Sequence, residues 1–292
     1  MAHASAFGEF TESFVRDRIA VAALAVLVLI LFAAIGAPLI SPQNPYDLAQ
    51  LDIMDAKLAP GGKSMDGMTF WLGTDDQGRD MLSGILYGLR ISLGVGILST
   101  VVALTIGMVV GLAAAYAGGW VDALIMRIVD LQLSFPAILL ALVLSALLGK
   151  GMLPLIGALV TAQYAYFART AHGAASAERG KDYVEAALST PLPARTVLWR
   201  HILPNSLPPL IVVATVQIAN AIALEATLSF LGLGLPPTEP SLGMLIANGF
   251  QYMLSGRYWI SIYPGIALIV LIVAINLVGD QVRDQLNPRL KR

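Results

Sequence analysis

The chain has no cysteine and very little charge, and these two shortages narrow its class at once. Without a thiol there is no disulfide framework, no thiolate metal site and no cysteine nucleophile. Only 13% of the 292 residues are Asp, Glu, Lys or Arg, about half of the roughly 25% usual in soluble domains. The 18 basic and 19 acidic residues leave a net charge of −1, so nothing favours a polyanionic partner, and no nucleic acid is expected. Catalytic signatures are also missing. Gly62-Lys63-Ser64 lacks the glycine that a phosphate loop requires five residues earlier, where Lys57 stands. His3, His172 and His201 show no metal-ligand spacing. Asp75-Asp76-Gln77-Gly78 lacks the alternating oxygen ligands of a calcium loop, and no nucleophile sits on a G-x-S-x-G turn. The reading is therefore no enzyme, no metal and no bound cofactor. Whatever work the chain does draws its energy from a partner.

What the chain has in excess is apolar sequence, 57% of its residues. About 20 apolar residues span a bilayer. Ile19–Ile40 is an apolar run, and no charge falls between Arg90 and Asp122. Leu131–Gly149, Gly151–Ala168, Ile202–Leu224 and Tyr258–Gly279 are likewise uncharged. The pattern predicts an all-α integral membrane protein of six transmembrane helices. The fourth carries the weakest signal, because it holds Pro154 and the polar Gln163. The first run exceeds the roughly 7–15 apolar residues of a signal peptide and reads as a retained helix. With both termini cytoplasmic, twelve Lys and Arg fall inside and six outside, the asymmetry that orients membrane proteins. The layout is then a cytoplasmic segment 1–18, a first helix 19–40, an extracytoplasmic loop 41–90, and a core 91–280 of five helices. That core carries a cytoplasmic loop, 169–205, and a cytoplasmic tail, 281–292, follows it.

In the inner loop, Lys181–Leu188 is composed of good helix formers. Thr190 can cap a second helix with Pro191 at its first position, and Ala194–Leu203 continues that helix until Pro204. The expected product is a helix–break–helix elbow, or else an amphipathic linker on the membrane surface. Glu225 is the one carboxylate well inside an apolar stretch, near the outer interface by helix rise. It reads as a structurally paired glutamate, or as a gate or an acceptor for a peptide ammonium. Arg127 and Asp130 have the i, i+3 spacing of an anchoring ion pair. Asp280, Arg283 and Asp284 form a solvated cluster at the end of the last span. Ala103, Gly107, Gly111, Ala115 and Gly119 recur every four residues and permit close helix packing, within the subunit or against a partner. The segment Thr74–Asp80 reads as a solvated loop with internal salt bridges.

Glu185-Ala186-Ala187 followed by His201-Ile202-Leu203-Pro204-Asn205 resembles the EAA loop of ATP-binding-cassette importer permeases. Further strings are similar to the dipeptide/oligopeptide/nickel permeases, and most to their C-type. They are Leu72-Gly73-Thr74-Asp75, Gly78-Arg79-Asp80, Arg90-Ile91-Ser92-Leu93, Leu133-Ser134-Phe135-Pro136, Leu228–Gly234 and Asn276–Asp280. The sequence departs from the family at Pro191, where a glycine is usual, at Gly84 for arginine and at Leu242 for tryptophan. The resemblance implies a type I importer permease in the bacterial cytoplasmic membrane, forming half of a pore for peptides or related small solutes. Its implied partners are a second, B-type permease, two ATPase subunits that bind the ATP, and an extracytoplasmic solute-binding protein. It also implies that Glu185, Ala186, Ala187, Pro191, His201 and Pro204 contact the ATPase. Gly73, Thr74, Asp75, Gly78, Arg79 and Asp80 would then lie near the docking surface for the binding protein. The rival classes are an ion-gradient-driven secondary transporter, which needs midplane ion ligands and usually internal repeats, and an intramembrane hydrolase. Neither has its signature here.

Overall fold

The computed structural model describes residues 14–47, 50–64, 67–184 and 194–286. Nine helices are set out here: α1 Arg18–Ile40, α2 Met81–Ala117, α3 Gly119–Leu133, α4 Ala137–Leu148, α5 Met152–Arg179, α6 Ala194–Val197, α7 Leu203–Phe230, α8 Leu242–Phe250 and α9 Trp259–Leu286. A two-residue hairpin, β1 Gly62–Lys63 against β2 Thr69–Phe70, lies in the segment between α1 and α2. That segment and α8 lie together at one end of the bundle, the loop end.

Three of the helices start where a side chain supplies the cap. The Asp17 carboxylate accepts from the N–H groups of Ile19 and Ala20, at 2.9 and 3.2 Å, and opens α1. Asp80 accepts from Ser83 N–H at 2.8 Å and opens α2, and Ser241 does the same for α8 through Met244 N–H. These side-chain oxygens satisfy backbone donors that have no partner in the first turn of a helix.

Four stretches are long and apolar enough to cross a membrane: α1, α2, the run Leu198–Phe230 and α9. Their outward side chains are apolar, with Leu29, Phe32, Ile35 and Leu39 exposed on α1 and Ile266 and Ile269 on α9. The protein is therefore an integral, multi-pass membrane protein. The expected straight span over Leu131–Gly149 is not what forms. Pro136 ends the preceding helix, since its ring excludes α geometry from the residue before it, and α3 and α4 meet at 89°. Helix α4 has 12 residues, about 18 Å of rise, too short to cross a core of about 30 Å alone. Taken as one broken span, α3 and α4 bring the candidates to five. Helix α5 has 28 residues, enough in length, but Gln163 and Arg169 dilute its apolarity.

Helix α5 is the centre of the core. Leu155, Leu159, Phe167, Ala168 and Ala171 are all sealed and recur at the spacing of one helix face. Its main neighbour is α2, and the glycines of the four-residue stripe explain how close the two run. A Cβ on Gly107 would lie 2.4 Å from Tyr164 O, and one on Gly111 would lie 2.3 Å from Ala168 O. The stripe thus packs within the subunit. Gly119 stands apart from it, at φ 56° with nothing near.

Helix α3 is fastened to α5 by Asp130–Arg169 at 3.2 Å and by His172 Nε2, 2.8 Å from Asp122 Oδ1. The expected Arg127–Asp130 pair is replaced by the first of these. A guanidinium from the neighbouring helix reaches the carboxylate while Arg127 stays exposed.

Candidate functional site

Three groups of sequence-chosen residues have to be placed, and they lie in three different regions. Glu185, Ala186, Ala187 and Pro191 lie outside the described residues, as does the expected cap Thr190. Residues 182–184 are helical. Beyond residue 193, α6 runs through a π-turn, Leu198–Ile202, straight into α7. The expected stop at Pro204 does not occur. A proline removes the N–H that an α-helix needs four residues on. Here the ladder has already widened: Leu203 N–H bonds Leu198 O, five residues back, as is typical of a π-turn. Pro204, Pro208 and Pro209 all sit in the first turns of α7.

His201 lies in that π-turn, and its ring stacks obliquely on Tyr183 at 6.3 Å. The Tyr183 hydroxyl donates to Glu178 Oε2 at 2.5 Å and accepts from Asn205 Nδ2 at 3.0 Å. Asn205 also donates to His201 O at 2.7 Å, and Lys181 pairs with Glu178. Glu178, Tyr183 and Asn205 therefore tie the chain entering the 185–193 segment to the chain leaving it. A groove of about 600 Å³ opens beside this tie, lined by Glu178, Asn205, Pro208, Val212, Arg283 and Leu286.

At the loop end, the Thr74–Asp80 segment is not solvated. Thr74, Asp75, Arg79 and Asp80 are all buried. Asp75 Oδ2 takes Arg79 Nε at 2.7 Å, and Asp75 Oδ1 accepts the N–H groups of Gln77 and Arg79. Thr74 Oγ1 donates to Asp55 O and accepts from Leu58 N–H. Asp80 N–H donates to Gln43 Oε1 at 2.6 Å. Trp259 Nε1 of α9 donates to Thr74 O at 3.2 Å, and Arg79 Nη1 reaches Pro237 O at 3.4 Å. Gly73 and Gly78 both take positive φ, near 80°, and any Cβ on Gly78 would lie 2.2 Å from Asp52 O. These residues are the knot that holds the loop to the bundle rather than a face offered to solvent. Asp76 is half-buried on the rim. Burial, and then the neighbouring Asp75, raise its carboxyl above the ordinary aspartate value.

Glu225, on α7, is 0% exposed. Ser92 of α2 and Ser229 of α7 both donate to it at 2.8 Å. Two hydroxyls from two helices converge on one carboxylate.

The sequence reading missed a fourth group. Gln163 and Tyr166 of α5 and Gln217, Asn220 and Thr227 of α7 line a cavity of about 350 Å³ beneath α4. Their signal was present as uncharged polar residues inside apolar runs, but a search for charge passes over amides.

Apolar helices long enough to cross a bilayer, a cavity among them that carries three amides and two hydroxyls, two tied flanks at one end and a knotted loop at the other are the arrangement of a membrane transport subunit. Comparison with known proteins places it. Residues 103–292 match the family described as binding-protein-dependent transport system inner membrane component, and residues 5–60 match the N-terminal TM domain of oligopeptide transport permease C. The chain belongs to this family of transport permeases, which is not a family of enzymes. It is 35% identical to the di/tripeptide transport system permease protein DppC of Pseudomonas aeruginosa strain UCBPP-PA14, over 100% of this chain and 95% of that one. It is 37% identical to the glutathione transport system permease protein GsiD of Pectobacterium atrosepticum, over 97% and 91%. Its fold matches a chain of the inward-facing MetNI methionine ABC transporter with a TM-score of 0.59 at 20% identity, over 71% of this chain and 98% of that one.

Proposed function

We propose that the chain is one permease subunit of an ATP-driven importer of peptides or closely related solutes, set in the bacterial cytoplasmic membrane with both termini inside. In this reading α5 supplies the sixth span. A second, B-type permease completes the pore, two ATPase subunits bind ATP, and an extracytoplasmic binding protein delivers cargo at the loop end. The names carried by the relatives, di/tripeptide and glutathione transport, support the cargo class.

The observation that carries the mechanism is the unbroken run from α6 through the π-turn into α7. The segment holding Glu185, Ala186, Ala187 and Pro191 hangs between Val184 and that run. Any displacement imposed on it by an ATPase is delivered to the base of a spanning helix rather than absorbed by a hinge. The Glu178–Tyr183–Asn205 tie stops the two flanks from parting, and His201 and Pro204 lie in the turn that receives the push. Closure of the ATPases would then tilt α7 as a rigid lever and switch the pore between its two open states. Glu225, sealed by serines, serves this lever as an internal anchor near its far end. Gly73, Thr74, Asp75, Gly78, Arg79 and Asp80 shape the loop on which the binding protein docks without touching it themselves.

Glu185→Arg tests the assignment. The variant should insert and assemble normally, yet hydrolyse ATP without peptide uptake. Uptake at the wild-type rate would overturn the docking role of the loop.

A further inference from the structure

The cavity beneath α4 is unusual in where its polar groups sit. Gln217 is at the middle of α7, about 20 Å from either end, and Gln163 lies about 16 Å from the start of α5. Both are therefore at mid-depth of the bundle. Asn220 and Tyr166 are exposed beside them. The groups are partly satisfied by one another. Asn220 Nδ2 donates to Gln217 Oε1 at 2.9 Å, Gln163 Nε2 reaches Gln217 O at 3.5 Å, and Thr100 Oγ1 reaches Gln163 Oε1 at 3.4 Å. Among the described residues, nothing bonds Asn220 Oδ1, Gln217 Nε2 or the Tyr166 hydroxyl.

At the bilayer centre an unsatisfied amide facing lipid costs several kcal/mol, because hydrocarbon offers no partner. This face is therefore not turned to lipid. Its composition also says what suits it. Set among Ala137, Ile138, Ala223 and Leu224, three primary amides and two hydroxyls supply donors and acceptors together, and none is charged. A peptide main chain presents the same complement, one N–H and one C=O at every residue. A neutral lining of this kind engages the main chain of any sequence and selects no side chain. Binding is also weak enough at each group to permit exit, as passage through a pore demands.

We infer that this trough is the chain's share of the translocation path, where Asn220, Gln217, Tyr166 and Thr227 exchange hydrogen bonds with the main chain of an extended peptide in transit. The inference rests on the importer reading above and adds to it the surface that the cargo crosses. Helix α4, too short to span, roofs the trough through Ala137 and Ile138.

This chain has no native cysteine, so the same transporter without the added thiol is the background for the test. In the complete transporter, Asn220→Cys should react with a membrane-impermeant cationic methanethiosulfonate, and turnover with a tripeptide should slow that reaction. Ile269→Cys, on the apolar outer face of α9, should not react. In uptake assays with a labelled tripeptide, Asn220→Leu should lose about tenfold, the scale of one hydrogen bond. Asn220→Gln should restore uptake. A wild type that carries tripeptide alongside an unreactive Asn220→Cys, or an Asn220→Leu variant with wild-type uptake, overturns the trough alone. A wild-type complex that hydrolyses ATP but moves no tripeptide overturns the importer reading, and the peptide assignment falls with it.

Discussion

Replacing Gly111 with alanine should destabilise the protein, although alanine is the better helix former. On propensity alone a helical Gly→Ala change gains about 1 kcal/mol. At Gly111 the added methyl would lie 2.3 Å from Ala168 O and 2.8 Å from both Ala171 Cβ and His172 N, against an ordinary contact of at least 3.4 Å. Backbone atoms cannot rotate aside, so α2 and α5 must part by about 1 Å, a gap that forfeits a quarter to a half of each dispersion contact along the seam. Overpacking of this kind costs about 1–3 kcal/mol. The internal control is Gly94 on the same helix, where a Cβ meets nothing within 4 Å. Gly94→Ala keeps the propensity gain without the clash. Thermal unfolding of the purified chain in detergent should therefore place Gly111→Ala below Gly94→Ala by roughly 2–12 °C, taking about 2–4 °C per kcal/mol for a chain of this size. If the two variants melt together, the glycine stripe is not what sets the α2–α5 distance and the packing argument fails.

Two further outcomes follow from the loop end and from α7. Burial raises the Asp76 carboxyl, so the folded state holds that proton to higher pH than the unfolded state does. The native state is therefore favoured as pH falls through the raised value, and ionised Asp76 is a liability above it. Asp76→Asn should raise the melting temperature at neutral pH and lose that advantage in acid; an advantage independent of pH would refute the linkage. Glu225→Gln leaves two serine hydroxyls facing an amide that accepts fewer hydrogen bonds. It should lower the melting temperature while leaving the peptide uptake rate of assembled transporters near wild type, whereas a collapse of uptake with stability unchanged would make Glu225 a gate.

The long elements were legible in the sequence because the bilayer demands one simple thing of them, an uncharged apolar length. Counting charges found α1, α2, α7 and α9, and it marked the Gln163 segment as the weakest. The same count is blind to direction, which is why the chain around Pro136 read as one straight span although the proline was in plain view. It is equally blind to amides. Gln217 and Asn220 lie within or beside the run Ile202–Leu224 and raised no signal, since only packing α5 against α7 shows that they share a wall. Spacing also misled at Asp130: i, i+3 identifies a possible partner on one helix, while Arg169 on another helix is nearer. The burial of the Thr74–Arg79 stretch follows from contacts with Asp52, Asp55, Pro237 and Trp259, which no local pattern records.

The knot at the loop end also orders events during synthesis. The chain emerges from its N-terminus, and Thr74 is made 185 residues before the Trp259 that donates to its carbonyl, while Arg79 precedes Pro237 by 158. The first loop therefore holds only its local bonds, such as Asp75–Arg79 and Gln43–Asp80, through insertion of nearly the whole bundle. Its fastening is complete only when α9 arrives, so completion of the chain and sealing of the loop end are one event. A nascent permease cut short before α9 would carry an open, protease-sensitive loop, a visible mark of an unfinished molecule.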